Sequence, residues 1–197
     1  MEYNDFLTLL KERRSCRSFA AAEKVSAEDI EKIIRAGQLA PNPLNLQPWS
    51  FVTITAAETK KALRQAGEKA KQKVLDAGGP GWVGGFNIDF FEEVPLIIAI
   101  VVDPKKGGLG DFFNQLTGSI QAGSACIQNM MLAATTLGLS TLWFTFFDPA
   151  DVRPIIAVPD NLEIAGLLFI GKAAGDVPTS RRRDPVVYAD SFGVECK

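Results

Sequence analysis

Residues 94–102 read VPLIIAIVV. This unbroken apolar run, mostly β-branched, has no polar face to offer water. It predicts a strand covered on both faces. Such a strand needs packed layers on each side, which forces a layered fold. IAGLLFIG (164–171) makes the same demand, and WSFVTIT (49–55) and STLWFTFF (140–147) predict further strands.

Helical signals alternate with these strands. Phe6, Leu9 and Leu10 follow helix spacing over 4–14. Ser26 with Asp29 reads as a capping box opening a helix whose face is Ile30, Ile33 and Ile34, ending near Pro41. Thr55 with Glu58 predicts a second box, opening a charged helix through about Leu75. Residues 117–137 predict a long helix rich in small residues. Asp148-Pro149 is an N-cap and N1 pair. Residues 77–91 and 107–113 read as Gly-rich aromatic loops, with Trp82, Phe86, Phe90 and Phe91 forming a lid or a contact surface. The 197 residues fit a single α+β domain spanning 1–197.

The chain contains no histidine, which excludes a Ser-His-Asp triad, a Cys-His pair and a histidine-based zinc site. Chemistry must then come from other groups or a cofactor. Cys16, Cys126 and Cys196 are odd in number and widely spaced, which predicts free thiols in a reducing compartment, most simply the cytoplasm. The N-terminus MEYNDF lacks the features of a signal peptide. No apolar run reaches the roughly 20 residues of a membrane span. Net charge is −2, which argues against nucleic acid as a partner.

Against that acidic balance, RRSCR (13–17) stands out. Arg13, Arg14 and Arg17 beside Ser15 offer forked guanidinium donors and a hydroxyl, an inventory suited to phosphate. A helix C-terminus lined with solvated cations is the bland alternative. Arg181-Arg182-Arg183 form a second cluster that a compact fold could bring to the same anion. In QLAPNPLNLQPW (38–49) the prolines stiffen the backbone and fix the directions of Asn45 and Gln47. Those amides can read a heterocycle edge or satisfy the turn's own backbone. GPGWVG (79–84) matches G-x-G-x-x-G in form, but it follows a charged helix and leads into loop, so a dinucleotide-binding reading is rejected.

RRSCRSF, then APNPLNLQPW, then LGLSTLWFTFFD, then RRRDP, in that order, resembles the FMN-dependent nitroreductase family from about residue 5 to 190. The resemblance implies a central mixed β-sheet flanked by helices, in a homodimer with FMN at the interface. It also implies a C-terminal extension that wraps the partner. By the same resemblance Arg13, Arg14 and Ser15 hold the FMN phosphate, with Arg181 and Arg183. Arg17 stabilises the reduced flavin from its N1/O2 edge. Pro41, Asn42, Pro43 and Asn45 reach the flavin of the other subunit, and Thr145 and Phe146 lie beside the ring. Asn42 and Pro43 stand where the family commonly has serine, and Phe146 where glycine is common. The implied activity is ping-pong hydride transfer from NAD(P)H through flavin N5 to a nitroaromatic, quinone or similar small acceptor. A flavin-binding protein without turnover and reductive dehalogenation are the alternatives. Loops 82–91 and 112–113 are expected to shape the acceptor pocket, and Cys16 to be a small buried residue.

Overall fold

A computed structural model describes residues 2–179 and 181–194. Cys196 lies outside them. In order come α1 (Tyr3–Glu12), α2 (Ala27–Gln38), β1 (Trp49–Ile54), α3 (Ala57–Asp76), α4 (Phe90–Glu93), β2 (Leu96–Val102), α5 (Gly118–Thr136), β3 (Ser140–Phe144), α6 (Pro149–Val152) and β4 (Glu163–Gly171). The strands form one sheet ordered β1-β2-β4-β3, every neighbour antiparallel. The fold is therefore α+β as expected. The parallel component of the expected mixed sheet is limited, among the described residues, to one isolated bridge between Ser15 and Thr141.

The apolar run that dictated layers sits at the centre. Every residue of β2 is buried. Ile97, Ala99 and Val101 point into a cluster with Leu63 and Ala66 of α3 and Phe90 and Phe91 of α4. Leu96, Ile98, Ile100 and Val102 point the other way, against Ile33 of α2 and Ala122, Cys126, Ile127 and Met130 of α5. Alternating side chains thus feed two cores, one on each face. Ile98 is 0% exposed, so its truncation to alanine costs about 2–5 kcal/mol.

Close packing explains the small residues of α5. A Cβ on Gly123 would come within 2.9 Å of Ala165 and Val102, so helix and sheet approach to near backbone contact. Ser26 caps α2 by accepting from the Asp29 amide at 3.0 Å. The expected capping box at Thr55 is not formed. β1 ends at Ile54, the N-cap of α3 is Ala56, and no side chain caps that turn. Asp148 caps α6 as expected, accepting from the Ala150 amide at 2.9 Å.

The aromatic loop 77–91 divides. Trp82 is 66% exposed, whereas Phe90 and Phe91 are 2% and 1% exposed. Phe91 meets Phe169 edge-on with ring centres 4.7 Å apart, and Phe90 stacks on Phe91 at 5.3 Å. Phe90 and Phe91 are core anchors, not lid residues, because the turn of α4 directs both rings under the sheet. No helix among the described residues is long and apolar enough to cross a membrane.

Candidate functional site

The arginine motif begins where α1 ends. Arg13 is the C-cap of α1 in extended conformation, so the chain leaves the helix straight. Residues 15–20 are then stitched across the end of the sheet. Cys16 donates its amide to Thr141 O at 2.9 Å, Ala20 to Lys172 O at 2.9 Å, and Ala174 donates back to Ser18 O at 3.0 Å. The start of β3 and the exit of β4 therefore fix the motif's backbone.

That stitching brings two distant basic segments together. Arg13, Arg14, Ser15 and Arg17 line a 280 Å³ groove with Pro178, Thr179 and Arg182. No carboxylate lines it among the described residues. Arg14 Nη2 donates to Pro178 O at 3.4 Å, joining the two walls. Burial pushes the Arg13 pKa down, and the nearby cations Arg182 and Arg14 push it further in the same direction. Several cations and a hydroxyl lining one groove are a donor set that could hold an anion with several oxygens.

All three C-terminal arginines are exposed, but only Arg182 lines the groove; Arg181 and Arg183 do not. The segment is not helical. It has no regular secondary structure, and its path brings only the middle arginine to the groove. The sequence carried this signal as a triplet in a Pro-flanked stretch.

A second trough of 330 Å³ continues from the first, sharing Arg17 and Pro178 and lined by Cys16, Ser18 and residues 174–177. The cationic groove is thus one end of a longer depression. Cys16 is 2% exposed and its thiol donates to Ser18 O at 3.0 Å. Burial raises its pKa more than Arg17 lowers it, so the thiol is held protonated, as expected of a small core residue.

Thr145 and Phe146 follow the far end of β3, with Thr145 about 13 Å along the strand from Thr141. Phe146 is half-buried, its ring centre 6.3 Å from both Phe86 and Phe144. Those contacts draw its bulk toward the core. Phe86 in turn meets Trp82 edge-on at 6.2 Å, which connects the exposed loop to position 146.

Pro41, Asn42, Pro43 and Asn45 do not line the arginine groove. They belong to a strained turn in which Leu44, Asn45 and Gln47 have φ of 51°, 53° and 47°. Each such residue costs on the order of 1 kcal/mol or more and persists only where its surroundings impose it. Asn42 Oδ1 accepts from the Gln47 amide at 2.7 Å, and Asn45 Oδ1 from Gln47 Nε2 at 3.3 Å. The carboxamides thus serve the turn itself, while Leu44 is left 66% exposed.

Comparison with known proteins fits this geometry. Residues 10–172 match the model of the nitroreductase family. A protein of Archaeoglobus fulgidus, whose name proposes an NADH dehydrogenase or NAD(P)H nitroreductase, is 27% identical over 84% of this chain and 83% of its own. An FMN-bound nitroreductase-type protein of Desulfovibrio desulfuricans superposes with a TM-score of 0.70, 25% identity and coverage of 92% and 94% of the chains. Iodotyrosine deiodinase bound to FMN and 3-iodo-L-tyrosine superposes with a TM-score of 0.81 at 21% identity, covering 94% of this chain and 99% of that one. With the family match spanning both the arginine motif and all four strands, this chain belongs to the nitroreductase family.

Proposed function

We propose that this chain is an FMN-dependent oxidoreductase that works as a homodimer. The observation that carries the reading is the groove of Arg13, Arg14, Ser15, Arg17 and Arg182, which gathers cations and a hydroxyl with, among the described residues, no carboxylate lining it. A phosphate monoester fits that donor set, and the adjoining trough gives room for the rest of a nucleotide-sized ligand. Bound there, FMN would supply two-electron hydride chemistry between NAD(P)H and a nitroaromatic, quinone or similar acceptor. Arg13, Arg14 and Arg182 hold the phosphate, and Ser15 donates its hydroxyl to it. Arg17, shared by groove and trough, places positive charge beside the ring, where it favours the reduced anionic form.

Homodimerisation rests on apolar surface. No residue of α1 is buried. Leu39, Leu44, Phe112 and Phe113 are 83%, 66%, 82% and 76% exposed, and Val186, Val187 and Phe192 extend the pattern along the C-terminal segment. Surface of that extent calls for a covering partner. A second copy supplies it, with the C-terminal segment wrapped around its neighbour and Pro41, Asn42, Pro43 and Asn45 turned toward the partner's flavin. Free, buried Cys16 and Cys126 support a cytoplasmic location.

The test is the visible spectrum of the purified protein, followed by anaerobic addition of NADH. A yellow protein with one FMN per chain that bleaches on addition supports the reading. A colourless protein that does not take up FMN overturns it. The likeness to iodotyrosine deiodinase favours a second reading within the same chemistry, reductive loss of halide from a haloaromatic. Halide release during turnover distinguishes the two.

A further inference from the structure

A second cavity of 390 Å³ shares no residue with the arginine groove. It is lined by Ala21, Lys24, Val25, Ile30, Thr55, Lys60, Pro95 and Leu96, between the start of α2, the first turn of α3 and the start of β2. Lys60 is the notable member. It is 9% exposed, and its Nζ donates to Val94 O at 2.8 Å and Glu92 O at 3.1 Å. Those acceptors are backbone carbonyls without formal charge. An ammonium has three protons to donate, so one remains after both bonds.

Among the described residues, no carboxylate forms an ion pair with Lys60. Glu92, the acid that acts on it from nearby, is itself engaged by Arg64 at 3.5 Å. Glu23 pairs with Lys172 at 2.7 Å and Glu28 with Lys32 at 2.8 Å. Lys24 stands on the cavity wall, and among the described residues no carboxylate lines it. The amino end of α3, whose N-cap Ala56 contributes no side-chain bond, adds positive potential next to Thr55. Burying an ammonium without a counter-charge is costly, and an anion in the adjoining space relieves that cost.

We propose that this cavity is a second anion site, which takes a small oxyanion, a carboxylate or a phosphate, between Lys60 and Lys24. The oxyanion accepts hydrogen bonds from the remaining Lys60 N–H and from the Lys24 ammonium, with Val25, Ile30 and Leu96 forming the apolar wall beside it. The site is independent of the arginine groove and of any flavin held there.

The test uses methyl-labelled full-length protein saturated with FMN, so that the arginine groove is filled. Sodium acetate and inorganic phosphate are titrated separately at constant ionic strength and pH, following the Val25, Ile30 and Thr55 methyl resonances. Saturable shifts at these methyls with either anion are expected, and the anion that saturates identifies the class. Lys60→Met and Lys24→Ala are each expected to weaken binding about tenfold or more. Linear, non-saturating shifts with both anions overturn the proposal, as does unchanged affinity in Lys24→Ala. That variant leaves the buried carbonyl contacts intact, so it remains decisive should Lys60→Met fail to fold.

Discussion

Arg13 and Arg182, far apart in the chain, line one groove, and burial together with the nearby Arg182 makes the charge of Arg13 harder to hold. An anion between them reverses that repulsion. Arg182→Ala should therefore weaken FMN affinity about 10- to 100-fold, the loss of one charge-assisted contact. Arg181→Ala and Arg183→Ala, which remove side chains that do not line the groove, should change it less than about threefold. Fluorescence titration of the apoprotein with FMN measures all three. Equal losses across the trio would show that the place of Arg182 in the groove has no bearing on binding.

The aromatic loop should separate into stability and specificity. Phe91→Ala removes a fully buried ring from beneath the sheet and should cost about 3–5 kcal/mol in denaturant unfolding. Trp82→Ala should leave stability within about 0.5 kcal/mol, since its ring is mostly in water. Its link through Phe86 to Phe146 should instead appear as an altered ranking of acceptors in steady-state assays. An unaltered ranking removes this loop from the acceptor pocket.

Cys126 supplies a pH dependence. Burial pushes its pKa from 9.0 up to about 12. The unfolded chain loses that proton first, so between pH 9 and 12 the folded state binds more protons and stability falls as pH rises. Below pH 9 the contribution is constant. The slope is about 1.4 kcal/mol per pH unit at most. Urea unfolding of the wild type and Cys126→Ala should therefore converge as pH rises above 9. Parallel curves would mean that the thiol is not the group responsible. Neither Cys16 nor Cys126 should react with a thiol reagent at pH 8 until the protein unfolds.

Gly108 has φ 86° and ψ −150°, a conformation essentially confined to glycine, and a Cβ there would lie 2.5 Å from Pro43. Gly108→Ala should displace loop 107–113 from the strained turn. Local hydrogen exchange over 39–47 and 107–116 should accelerate while β2 keeps its protection. Unchanged exchange in both segments would show that Pro43 and Gly108 are not coupled.

How much of this was legible in sequence varied by kind of signal. β2 and β4 were plain because an unbroken apolar run has only one way to avoid water. The Asp148-Pro149 pair was plain because capping is local. Thr55 misled because a capping box differs by one residue from a strand end, and nothing in the local chain separates them. Phe90 and Phe91 read as loop because the glycines around them conceal where their rings are buried. The arginine motif was legible as chemistry, yet which C-terminal arginine joins it depends on the path of an irregular segment, which no local periodicity encodes. Lys60 gave no signal, since a lysine in a charged helix reads as solvated until its neighbours are known.

The stitching of residues 15–20 to Thr141, Lys172 and Ala174 also sets an order of events in synthesis. β2 finds its central partner only when β4 has been made, since Leu96 pairs with Ile170. The arginine motif is translated early but has no wall to meet until the segment carrying Arg182 has left the ribosome. The anion groove is therefore assembled last, from the chain's beginning and its end. A ligand that bridged the two would close a loop running from Arg13 to Arg182 and would hold that span folded by mass action.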